Sequence, residues 1–105
     1  MTPEEWMRCD EPDLMLEELL GRVHRAQLIE FVRNCWERVA RYLPDVPHEI
    51  TAAQQFAALA ETLNDRDAII YASEAALKAA GLTPNLRAEQ KRQAELLRQI
   101  AGHAT

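Results

Sequence analysis

The stretch from Arg25 to Leu43, RAQLIEFVRNCWERVARYL, constrains the fold more than any other part of the chain. At 100° per residue with Leu28 at zero, Phe31, Val32, Cys35, Val39, Tyr42 and Leu43 fall within about 60° of it. Ile29 and Trp36 widen that arc, while Glu30, Arg33, Asn34, Glu37 and Arg41 take the opposite side. One neighbour cannot cover so broad an apolar arc, so this helix must be central, with elements packed on two of its sides. Pro44 and Pro47 end it, because proline lacks the N–H and pushes the preceding residue out of the helical region.

The rest of the chain reads as helix too. Three glycines stand among many Ala, Leu, Glu, Arg and Gln, residues that lose little rotamer freedom in a helix. No alternating Val/Ile/Thr run of strand length occurs. With 105 residues, 48% of them apolar, the chain can bury a core without disulfides or metals. The expected architecture is all-α. One domain over 1–105 would hold five or six helices, with a central helix near 25–43 and an antiparallel hairpin near 48–80.

Local signals place the other helices. Thr2-Pro3-Glu4-Glu5 offers an N-cap threonine, a proline at the first helical position and Glu5 spaced for a capping box. That helix ends near Cys9, and Asp10-Glu11-Pro12-Asp13 restarts the chain with Asp10 as the expected cap. Leu14, Met15, Leu16, Leu19 and Leu20 form a second short helix, stopped by Gly21. A fourth, about His48 to Leu63, is expected to bury Ile50, Ala53, Phe56, Ala57, Leu59, Ala60 and Leu63.

A fifth helix, about Asp65 to Ala80, starts at Asn64 or Asp65 and stops at Gly81. Its inward face reads Ala68, Ile69, Ala72, Ala75, Ala76, Leu77 and Ala79, small enough for a tight hairpin with helix four. Alternatively, this alanine face meets its own copy. Thr83-Pro84 repeats the opening device and begins a sixth helix that ends near Gly102. Leu86, Leu97 and Ile100 share a face there with Gln90 and Gln93, while Arg87, Lys91, Arg92 and Arg98 lie around it. So polar a stripe suits a helix on the surface or one projecting past its neighbours.

The net charge of −5 disfavours nucleic acid, whose affinity comes mainly from neutralised phosphates. Charge comes in blocks, −6 over residues 1–21 and +3 over 22–43, then −4 over 44–82 and +2 over 83–105. Acidic helices can thus lie against basic ones within one bundle. No apolar stretch reaches the length of a membrane span, and no basic-then-apolar leader opens the chain. The expectation is a cytoplasmic protein with Cys9 and Cys35 reduced, a disulfide between them being the alternative, and no membrane or nucleic-acid partner.

Chemistry is sparse. His24, His48 and His103 fall at a helix start, in a proline turn and on the C-terminal tail, usual places for exposed histidines. Cys9, His24, Cys35 and His48 would complete a zinc set, but their gaps of 15, 11 and 13 residues lack the close pairs that chelation uses. Cys35 sits within the apolar arc, where cysteine acts as a small hydrophobe. Glycine-rich phosphate loops and the hydrolase and zincin motifs are absent. Adjacent carboxylates such as Glu4-Glu5 and Glu17-Glu18 diverge on a helix. No catalytic, metal-binding or cofactor-binding residue, and no cofactor, is assigned. Trp6, one turn before Cys9, is read as a lid beside the central helix rather than a partner anchor.

EEWMRCDEPDLMLEEL followed by RAQLIEFVRNCWERVARYLPD resembles a short helical segment common in uncharacterised planctomycete proteins. The matching positions are Trp6, Pro12, Met15, Leu16, Leu19, Arg25, Leu28, Phe31, Cys35, Leu43, Pro44 and Asp45, within about residues 4–61. The chain carries one cysteine where that segment often has a pair, and lacks its Tyr-Ala-Asp-Gly close. The resemblance implies a bacterial fold module with no stated activity. YASEAALKAAGLTPN is similar to the second helix of a tetratricopeptide hairpin, although one unit cannot stack into a continuous core.

Together these features lead to a non-enzymatic helical interaction module whose partner is another protein or itself. Arg87, Gln90, Lys91 and Gln93 are its candidate surface. The alternatives are a small metal- or thiol-dependent protein using Cys9, Cys35 and a histidine, and a homo-oligomeric tetratricopeptide-like adaptor.

Overall fold

The computed structural model describes residues 1–41, 48–59 and 61–102 (for 48–53, the backbone alone). Six helices follow one another: α1 Pro3–Arg8, α2 Pro12–Glu18, α3 Arg25–Ala40, α4 His48–Leu59, α5 Asp65–Gly81 and α6 Leu86–Ala101. They form an all-α bundle in which α3 is central, with α4 and α5 against it and α6 beside it. The radius of gyration, 13.0 Å, is that of a compact chain of this length. Tyr42, Leu43, the Pro44–Pro47 turn, Ala60, His103 and the side chains of His48, Ile50 and Ala53 lie outside the described residues.

Caps explain where the helices begin and end. Thr2 Oγ1 accepts from the Glu5 N–H at 3.1 Å, and Glu5 Oε1 accepts from the Thr2 N–H at 3.1 Å, closing the expected capping box. The Thr2 backbone N–H, with the hydroxyl second, holds the Glu5 carboxyl below its ordinary pKa. Pro12 opens α2, but its cap is Glu11 rather than Asp10, and the Glu11 side chain makes no capping bond. Gly21, at φ 80°, supplies the left-handed turn that follows α2.

Of the two candidates for α5, Asn64 is the cap, its Oδ1 accepting from Asp67 N at 2.8 Å. α4 stops at Leu59 rather than Leu63, because Thr62 turns the chain and donates its hydroxyl to the Leu59 carbonyl at 2.8 Å. Asn85 caps α6, two residues beyond the expected Thr83. Thr83 instead closes α5, donating Oγ1 to the Ala80 carbonyl at 2.6 Å.

The core follows the α3 arc. Leu28, Phe31, Val32, Cys35, Trp36 and Val39 are buried, while Glu30, Arg33, Glu37 and Arg41 face water. α2 contributes Met15 and Leu16, and Leu19 follows it inward; Leu14 and Leu20 are exposed. Phe56 of α4 is fully enclosed and stacks on Tyr71 with ring centroids 5.2 Å apart. Ala57 and Leu59, expected inside, are exposed because the helix ends there.

The alanine face of α5 is buried, with Ala80 added to it. It is spent on α3, α2 and α6, so α4 and α5 meet only marginally and each packs on α3 instead. The close backbone approach expected within the hairpin is therefore made with the central helix. That face is also covered within the chain, so no copy can dock on it. Leu77, expected inside, is 53% exposed: at 100° per residue it falls about 180° from Ala68, on the side of α5 away from the buried alanines.

α6 is not peripheral. It packs on α2, α3 and α5 and buries Glu89, Gln93, Ala94 and Leu97. The buried polar groups have partners. Glu89, 3% exposed, accepts from Arg38 Nε at 2.8 Å and Nη2 at 3.2 Å, and Gln93 Nε2 donates to the Ala76 carbonyl at 2.9 Å.

α1 and α6 clasp each other through helix-end carbonyls that would otherwise lack partners. Trp6, 1% exposed, donates Nε1–H to the Gly102 carbonyl at 3.1 Å. Arg98 Nη1 answers by donating to the carbonyls of Trp6 at 3.2 Å and Cys9 at 2.9 Å. Gln27 of α3 donates to the Ile100 carbonyl at 3.1 Å. The tryptophan is thus interior, but its polar partner stands at the end of α6 rather than on α3. Arg25 pins the other side of the bundle, donating to the Leu63 carbonyl at 2.7 Å and to Asp65 at 2.9 Å.

Candidate functional site

Among the described residues, the groups that could carry reaction chemistry are dispersed. Both cysteines are free thiols. Cys35 is sealed in the core, where desolvation, with the Glu89 carboxylate second, pushes its pKa well up and keeps it a neutral thiol. Cys9 is half-buried, its Sγ donating to the Glu11 carbonyl at 3.6 Å. His24 is exposed at the cap of α3. Among the described residues no three His, Cys, Asp or Glu side chains stand close enough to share a metal ion. Trp36 Nε1 is the one buried side-chain nitrogen or oxygen among them without a hydrogen-bond partner.

A groove of about 390 Å³ runs where the start of α2 meets α5 and α6. Its apolar surface comes from Pro12, Ala76 and Leu77, and Ile70, seven residues before Leu77 and 47% exposed, continues that edge of α5. Glu11, Asp13 and Glu74 bring three carboxylates, Arg87 brings one guanidinium, and Ser73, Gln90 and Gln93 are uncharged polar members. None of the three carboxylates has an ion-pair partner among the described residues.

The arrangement follows from local structure. Pro12 must sit in the first turn of α2, so Glu11 falls at the cap and Asp13 beside it. The alanines of α5 are buried toward its neighbours, while the exposed Leu77 and Glu74 line the groove.

No family model, curated protein or solved structure matches the chain. Trp6, Pro12, Met15, Leu16, Leu19, Leu28, Phe31 and Cys35 are buried, and Arg25 is half-buried.

Three of the four surface candidates on α6 meet at this groove: Arg87, Gln90 and Gln93. Gln93 is not a surface residue, however. It is 1% exposed, at the groove's floor, because its amide bonds across to α5. Lys91 is exposed but does not line the groove. Glu11, Pro12, Asp13, Ser73 and Glu74 were not marked by the sequence, since their convergence depends on how α2, α5 and α6 pack. The available signal was the i, i+7 pair Ile70 and Leu77, which the helical period sets on the side of α5 away from its alanines.

Proposed function

We propose that the protein is a non-enzymatic interaction module that docks another protein in the α2–α5–α6 groove. The observation that supports this most is Leu77. A leucine half in water on the lip of a concave surface, extended by Ile70, loses hydration only when something covers it. The enclosed Cys35 thiol and, among the described residues, the separation of Cys9, His24 and Cys35 from any shared metal cluster favour binding over chemistry. The likeness to the planctomycete segment fits the same reading, as a fold module without an attached reaction. A cytoplasmic setting suits the two free thiols, and no helix among the described residues is long and apolar enough to cross a membrane.

A photo-crosslinking amino acid at Leu77, compared with one at exposed Glu37 on α3, tests the assignment in cells that make the protein. A specific adduct at 77, lost when Ile70 is also changed to Ser, is expected. Equal labelling from the two positions, or none from 77, would remove the groove from consideration.

A further inference from the structure

We infer that the groove's occupant is a basic segment of a partner protein, presenting a lysine or arginine side chain; this rests on the docking reading above. The floor of the groove makes the first argument. Gln93 is almost fully enclosed, and its Nε2–H is committed to the Ala76 carbonyl at 2.9 Å. Its Oε1 accepts no hydrogen bond from any described residue, and Gln93 lines the groove, so a donor that enters there can meet it. A side chain that only accepts, such as a carboxylate, cannot satisfy it; an ammonium or guanidinium can.

Charge makes the second argument. Glu11, Asp13 and Glu74 outnumber Arg87 around the opening, and none of the three is neutralised among the described residues. Glu11 stands at the cap of α2 yet leaves its carboxylate out of capping, so that group remains available to a ligand. Shape makes the third. Pro12, Ala76 and Leu77 give an apolar wall for the methylene stem of a long cationic side chain, whose head then reaches Gln93 and the acidic rim. At about 390 Å³ the space is near the lower end of ligand pockets, suited to one or two side chains of a segment.

The test is a nitrogen-15 correlation NMR titration of the whole protein with three blocked peptides, acetyl-Leu-Arg-Leu-amide, acetyl-Leu-Glu-Leu-amide and acetyl-Leu-Leu-Leu-amide. The arginine peptide should shift the Gln93 side-chain NH2 pair and the amides of 73–77, and added salt should weaken it. Glu11→Gln and Glu74→Gln should each weaken it about two- to fivefold, and Arg87→Ala should strengthen it by a similar factor. These positions are exposed, so the variants leave the fold intact.

If the all-leucine peptide binds the same residues as well as the arginine peptide does, docking stands and the basic occupant is wrong. If the glutamate peptide is preferred, the charge argument is reversed. If none of the peptides moves these resonances, both the groove and its occupant fail. Shifts that grow with protein concentration alone would make the occupant a second copy and overturn the proposal.

Discussion

Changing Arg38 to methionine while Glu89 stays should destabilise the protein by about 3–5 kcal/mol, because it strands a carboxylate in the interior. Glu89 is 3% exposed and both its oxygens are engaged by one guanidinium, so without Arg38 it has neither water nor an equivalent donor. The opposite change is gentler. The Arg38 side chain is 29% exposed, and with Glu89→Leu its head can turn to solvent at a cost of about 1 kcal/mol. Removing both charges in R38M/E89L leaves an apolar contact within about 1–2 kcal/mol of the parent, so the pair should couple by about 2–4 kcal/mol. A domain of this size has a total stability of about 5–15 kcal/mol, so the first variant should show a large drop in urea midpoint by circular dichroism. Equal losses from the two single changes, or an additive double, would refute the asymmetry on which this reasoning depends.

Four further outcomes follow from the core. Trp6→Phe should cost about 1 kcal/mol, leaving the Gly102 carbonyl without its donor, and Trp6→Ala about 3–5 kcal/mol; in a Trp36→Phe background the remaining indole should emit in the blue and resist iodide, and ready quenching would contradict its burial. Cys35 holds its proton when folded but releases it when unfolded, so the protein should lose stability as pH rises above about 8.5, and Cys35→Ala should lack that part of the slope. In native protein only Cys9 should react promptly with a thiol reagent, and equal rates for both would count against the sealed core. Ala72→Leu should overpack the face between α5 and its neighbours at about 1–3 kcal/mol, read by thermal unfolding, with unchanged mass by light scattering; dissociation of an oligomer at unaltered stability would contradict it.

The sequence was most legible where one helix's own pattern decides the outcome. The α3 arc from Leu28 to Val39 and the Thr2/Glu5 capping box depend on neighbours three or four residues away, and both are present as expected. α6 was misjudged because its polarity was counted residue by residue. Glu89 and Gln93 are interior since their partners, Arg38 and the Ala76 carbonyl, lie 51 and 17 positions away, which a single helical wheel does not register. Leu77 failed for a different reason: the helical period itself sets it about 180° from Ala68, opposite the alanine face to which it was assigned. The groove was half visible, as the polar edge of α6 at Arg87 and Gln90. Its other wall, from Glu11 to Asp13, becomes adjacent only once α2 is folded against α5 and α6.

The bond from Trp6 to Gly102 joins positions 96 apart, and Arg98 reaches back across nearly the same span. Neither extremity of the bundle can therefore loosen by itself. Peeling away the first turn uncaps the last one, and unwinding the last releases the indole into water. Closing so long a circuit costs chain entropy that no local contact returns, so the two ends should secure each other late in folding and protect their amides against exchange to the same degree.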